Sequence, residues 1–134
     1  AVPFFHATGN PMPQIVMIVD DDQMNRELME TVVKRAGFGV THANSGEQAL
    51  RLVETQRPDL ILLDVRLGEL SGYDVCAQLK SDPATRAIPI LLLTAADNEE
   101  DRLNAMSVGA NGFFPKMRGW QPLIAQVKEL LGSG

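Results

Sequence analysis

Five short apolar runs recur along the chain: "IVMIV" (15–19), "GVTHA" (39–43), "LILLD" (60–64), "IPILLLT" (88–94) and "GFFPK" (112–116), with amphipathic stretches between them. No other feature narrows the fold as far. Three of the runs are apolar throughout their bodies, as parallel strands covered on both faces must be. The intervening stretches carry helical periodicity. Met24, Leu28 and Val32 share one face of the first, and Leu123, Val127 and Leu130/Leu131 share one face of the last. Ser45 with Gln48, and Asp97 with Glu100, stand at capping-box spacing, and Gly37 closes the first helix. Five strands alternating with five helices predict an α/β fold, a doubly wound parallel sheet with helices on both faces. In such sheets the crossovers are right-handed and ligands sit outside the carboxyl ends of the strands.

The chain of 134 residues, 45% of them hydrophobic, has the size and apolar content of one domain with one core. Residues 1–13 hold three prolines and no periodicity, and are expected to be a mobile lead-in or linker. Residues 14–131 are the expected folded domain. The final "GSG" (132–134) reads as a tail or a cloning scar, which points to a piece of a longer protein. A net charge of -5, with no basic stripe, speaks against binding nucleic acid or an anionic membrane. No apolar run approaches the roughly 18 residues of a membrane span, and the start lacks a signal-peptide pattern. The lone Cys76 excludes an internal disulfide and fits a reducing, cytoplasmic compartment.

The polar residues fall at the strand ends. Strand one runs without transition into Asp20, Asp21 and Asp22, strand three ends at Asp64, strand four at Thr94 and strand five at Lys116. Neighbouring carboxylates repel, by about 1 kcal/mol at about 4 Å in water and roughly 4 at an effective dielectric of 20, so a cation is expected among them. Two or three carboxylates make an oxygen site for Mg²⁺, which favours one or two protein carboxylates plus phosphate oxygens. A lysine and a hydroxyl beside it suit a phosphoryl group, and one carboxylate is then the nucleophile, as in aspartyl-phosphate chemistry.

At these residues the sequence resembles the response regulator receiver domains of two-component signalling. The matching pieces are "VDDD" (19–22), "DLILLDV" (59–65), "LSGYDV" (70–75), "IPILLLTA" (88–95) and "GANGFFPK" (109–116), over about residues 14 to 131. The resemblance implies a flavodoxin-like strand order 2-1-3-4-5, an order for which a relative of this family is a standard example. It implies that Asp64 is the phosphoacceptor, Asp21 a direct ligand of Mg²⁺ (or Mn²⁺), and Asp20 a ligand through water. The backbone carbonyl of Arg66 is the implied third protein ligand. Thr94 matches the switch hydroxyl, Lys116 the phosphoryl-binding lysine, and Phe113 the switch aromatic. Asp22 has no family role and is read as the cap of the first helix.

The implied function is acceptance of a phosphoryl group from a histidine kinase or histidine phosphotransfer protein. That event would switch a partner-binding face. Self-association or an output domain would use the fourth helix, fifth strand and fifth helix. The domain itself would be no enzyme beyond its own phosphorylation and dephosphorylation, although the parent chain could be a hybrid histidine kinase. Two departures stand out: Gly68 where relatives often carry proline, expected to loosen that loop, and Met117 after the lysine where proline is usual. Without that proline the junction is expected to be trans. Pro115 before the lysine is tolerable if the fifth strand is an edge. These departures motivate an alternative, a pseudo-receiver that binds partners without phosphate. A Mg²⁺ phosphatase built on Asp20 and Asp22 is a third reading, which leaves Asp64 without a role.

Overall fold

Each apolar run forms a strand: β1 (Ile15–Val19), β2 (Gly39–Ala43), β3 (Leu60–Asp64), β4 (Ile90–Thr94) and β5 (Gly112–Pro115). The computed structural model describes residues 13–132, so nearly all of the expected lead-in and the last two residues of the tail lie outside the described residues. The strands pair in parallel in the order 2-1-3-4-5. The helices α1 (Gln23–Arg35), α2 (Gly46–Thr55), α3 (Gly72–Ser81), α4 (Glu99–Ser107) and α5 (Trp120–Leu130) fill the intervals, with a 3₁₀ turn at Lys116–Arg118.

Strand alternation divides the core between two faces. Met17, Val19, Ile61, Leu63, Ile90 and Leu92 pack with Ala49 and Val53 of α2, Val75 and Leu79 of α3, and Ala105 of α4. Val16, Ile18, Leu60, Leu62, Leu91 and Leu93 pack with Met29 and Val33 of α1, and with Leu123 and Val127 of α5. These strand residues are essentially fully buried. Burial stabilises each such side chain by roughly 1.5–3 kcal/mol, so the three inner strands are firmly set and their carboxyl ends with them. No helix among the described residues is long and apolar enough to cross a membrane.

Three local expectations need correction. The apolar face Met24–Leu28–Val32 is not the core face of α1: Met24 is 70% and Leu28 49% exposed, and the buried stripe is Met29 and Val33. A helix with apolar residues at 24, 28, 29, 32 and 33 offers two overlapping stripes, and the short connection from β1 sets which one meets the sheet. The cap of α4 is Asn98, whose side chain accepts from the Asp101 amide at 2.8 Å, rather than Asp97. Asp97 instead pairs with Arg102 and Arg118. Finally, β5 ends at Pro115, so Lys116 lies in the 3₁₀ turn and not in the strand.

β5 is an edge strand, the setting in which Pro115 is admissible. No cis peptide occurs among the described residues, so Lys116–Met117 is trans. Gly68 sits at φ 79°, a left-handed conformation closed to proline, which explains the glycine there.

Candidate functional site

With β3 flanked by β1 and β4, the sheet brings Asp20, Asp64 and Thr94 to one edge, and the turn after β5 adds Lys116. Asp20 is 1% exposed and Asp64 5%. The Lys116 ammonium forms an ion pair with Asp64 Oδ2 and lies 3.7 Å from Asp20 Oδ2. Asp64 Oδ1 accepts from the Arg66 amide at 2.8 Å, and Asp20 Oδ1 accepts from the Asp22 amide at 2.9 Å. Asp20 Oδ2 is buried without a hydrogen-bond partner. Burial, reinforced by the Asp64 charge, pushes the Asp20 carboxyl up to about 6, against the pull of the Asp22 amide and Lys116.

The three consecutive acids therefore part ways. Asp20 turns into the pit, and Asp22 caps α1 by accepting from the Met24 amide at 2.9 Å and the Asn25 amide at 3.4 Å. Asp21 stays exposed. No cluster of three acidic, histidine or cysteine side chains close enough to share a metal ion occurs among the described residues. The side chain of Asp21 is thus not gathered with those of Asp20 and Asp64, as mutual repulsion among three carboxylates favours. The donor set still fits a hard divalent ion: two adjacent carboxylates, one with an unpartnered buried oxygen, in an oxygen-rich pit.

Thr94 is 3% exposed at the end of β4. Its hydroxyl accepts from the Ala96 amide at 3.2 Å and lies 3.4 Å from Asp101 Oδ2, so it does not engage Asp64 here. Phe113 is half-buried, with the Arg102 guanidinium 5.6 Å above its ring. The Arg66 side chain is exposed at the mouth of the cleft. A cavity of about 200 Å³ opens beside this edge, lined by Val65, Arg66, Tyr73, Thr94 and Asp101 among others.

Residues 16–128 match the family model of the response regulator receiver domain. This chain belongs to that family. The receiver is 38% identical over 120 residues to the alkaline phosphatase synthesis transcriptional regulatory protein PhoP of Bacillus subtilis, a match covering 90% of this chain and 49% of that protein. Among solved structures, it is similar to the receiver domain of a signal transduction histidine kinase from Syntrophus aciditrophicus, with TM-score 0.83 and 33% identity over 89% of this chain and 90% of that one. It is also similar to the receiver domain of the sensor histidine kinase PA1611 from Pseudomonas aeruginosa, with TM-score 0.82 and 32% identity over 90% and 99% of the two chains. The latter holds a magnesium ion in its active site cleft. The receiver spans about half the length of the curated relatives it matches first.

Sequence reasoning missed three supports of this receiver's site. Arg26 donates from Nη1 to the Asp20 carbonyl at 2.7 Å, pinning the turn after β1 from α1. Gly72 lets α3 start against the end of β3, since a Cβ there would stand 2.2 Å from the Asp64 carbonyl oxygen. Tyr73 donates to Asp101 Oδ1 at 3.1 Å. Each joins residues with no periodic relation, so no pattern in the chain signals them. Only the "SGYD" motif around Gly72 and Tyr73 marked their neighbourhood.

Proposed function

We propose that this receiver accepts a phosphoryl group on Asp64 in a divalent-metal-dependent reaction, and that the acyl phosphate switches a partner-binding face. One observation carries the reading: a buried carboxylate at the end of β3, ion-paired with Lys116, beside a second buried carboxylate one of whose oxygens has no hydrogen bond. A carboxylate oxygen of Asp64 attacks the phosphorus of a phosphohistidine on a histidine kinase or phosphotransfer protein. The P–N bond breaks, its electron pair stays on the imidazole nitrogen, and a mixed acyl-phosphate anhydride remains. Hydrolysis reverses the state, with water taking the phosphoryl group as inorganic phosphate.

Asp20, Asp21, Asp64 and the Arg66 carbonyl would hold Mg²⁺ (or Mn²⁺), with Asp20 acting through water. What a bound ion supplies is positive charge against the phosphoryl oxygens. Lys116, already at Asp64, supplies a second positive charge to the transferred group. Thr94 then turns its hydroxyl toward a phosphoryl oxygen, and Phe113 repacks against α4. The surface of α4, β5 and α5 changes its preferred partner by a population shift.

The altered segment around Lys116 is what recommends the pseudo-receiver alternative. The contact between Lys116 and Asp64 forms despite Met117 and the 3₁₀ turn, which favours the phosphorylated reading. Intact-mass spectrometry with Mg²⁺ and acetyl phosphate tests it. The wild-type chain is expected to gain one phosphoryl group, and Asp64→Asn or the wild type in excess chelator none. Equal incorporation in Asp64→Asn overturns the assignment.

A further inference from the structure

Thr94 has one hydroxyl proton, and in this structure a carboxylate faces it. Asp101 Oδ2 lies 3.4 Å from Thr94 Oγ1, while Asp101 Oδ1 accepts from Tyr73 at 3.1 Å. We propose that Asp101 is a positioning residue that holds the Thr94 hydroxyl in the resting receiver and competes for it with a phosphoryl group on Asp64. The inference rests on the reading of Thr94 as the switch hydroxyl.

The competition follows from donor arithmetic. A hydroxyl donates once, and the acceptor lone pairs of Thr94 already serve the Ala96 amide. The proton can therefore point at Asp101 or at a phosphoryl oxygen, but not at both. Both acceptors are anionic, so each attracts the one hydroxyl proton and the two compete for it. At 3.4 Å the resting bond is long, and a loosely held hydroxyl is the easier one to recruit.

Placement makes the contact consequential. Asp101 lies in the first turn of α4, of which Ala105 is the one fully buried residue. A helix with so little apolar anchorage depends on polar ties to hold its position. Tyr73 supplies the opposite tie from the start of α3, directly after Gly72, which packs against the Asp64 carbonyl. Desolvation and the facing Asp101 charge push the Tyr73 phenol up to about 12, in accord with a neutral donor on this carboxylate. The path Asp64–Gly72–Tyr73–Asp101–Thr94 thus closes a ring from the acceptor strand through α3 and α4 and back to the sheet edge.

The test measures the apparent affinity of the chain for beryllofluoride, a tetrahedral phosphoryl mimic, with Mg²⁺. Fluorescence of Trp120, the single tryptophan, reports it from a cavity shared with Lys116. Asp101→Asn replaces an anionic acceptor by a neutral one and is expected to tighten binding by roughly threefold or more. In a Thr94→Val background the same change is expected to do nothing, because Asp101 acts through that hydroxyl. Tyr73→Phe releases the carboxylate toward Thr94 and is expected to weaken binding. A merely structural role would move the urea midpoint of the mimic-free protein and leave these affinities alone. A wild type that does not respond to the mimic sinks the acceptor reading and the competition with it. A responding wild type whose Asp101→Asn variant binds no tighter, a gain that survives in Thr94→Val, or a tighter Tyr73→Phe overturns the competition alone.

Discussion

Asp20 carries a local conflict: a buried carboxylate beside another, with one oxygen that has no hydrogen bond. Its folded pKa of about 6 stands above its ordinary value of 3.8, so the native state binds its proton more tightly than the unfolded chain does. Stability therefore falls as pH rises between those two values, and the full cost is present at neutral pH. Asp20→Asn keeps an oxygen for the Asp22 amide and removes the charge. It is expected to raise metal-free stability at pH 7 by about 1–3 kcal/mol in urea unfolding while sharply lowering phosphoryl incorporation. The gain should shrink as pH drops toward 4, and a variant no more stable than wild type at pH 7 would remove the conflict from the account. The opening acids show what a sequence reveals at this scale. A run of three carboxylates announces a problem, and an apolar strand before it locates that problem at a sheet edge. Which carboxylate turns inward is decided by the backbone after β1, and by Arg26 holding it, which the run itself does not encode.

At the scale of elements, strands were far more legible than helix orientation. β1, β3 and β4 are apolar enough to be readable from composition alone, because both of their faces are covered. α1 has two overlapping apolar stripes, and the more regular one faces solvent. Met24→Gln and Leu28→Gln are accordingly expected to change stability by no more than about 0.5 kcal/mol, whereas Val33→Ala should cost about 2 kcal/mol. Thermal unfolding of the three variants checks this, and a large loss at Met24 or Leu28 would reverse the orientation. The cap of α4 falls one residue after the position that the capping-box spacing predicts, for a related reason. Asp97 and Asn98 are both competent caps, and the ion pairs of Asp97 with Arg102 and Arg118 leave the role to Asn98. The ties through Tyr73 and Asp101 join α3 to α4 across 28 positions of sequence and obey no period, so they are visible only in three dimensions.

For the whole molecule, the sheet order gathers side chains more than 90 positions apart in the chain, Asp20 and Lys116, into one pit. Ion binding at the proposed site would then be linked to folding, because the pit exists only in the native state. Mg²⁺ at about ten times its dissociation constant is expected to add about 1.4 kcal/mol of stability, lost on chelation. The increment should fade below about pH 6 as Asp20 takes up its proton, and calorimetry at pH 5.5 and 7.5 with and without the ion would show it. An ion that leaves the unfolding temperature unchanged at both pH values would argue against a divalent site. The doubly wound class is legible because five runs alternate with helical stretches and four of the runs end in polar residues, whereas the order 2-1-3-4-5 is what the family resemblance implies. The last strand has a further consequence. An exposed strand edge is a template on which another chain can build toward a fibril. β5 offers only four residues there and finishes in Pro115, which has no N–H to give, so a growing ladder would lose its next rung beside the lysine. The proline that displaces the usual residue order around Lys116 thus also guards this edge of the sheet against addition from outside.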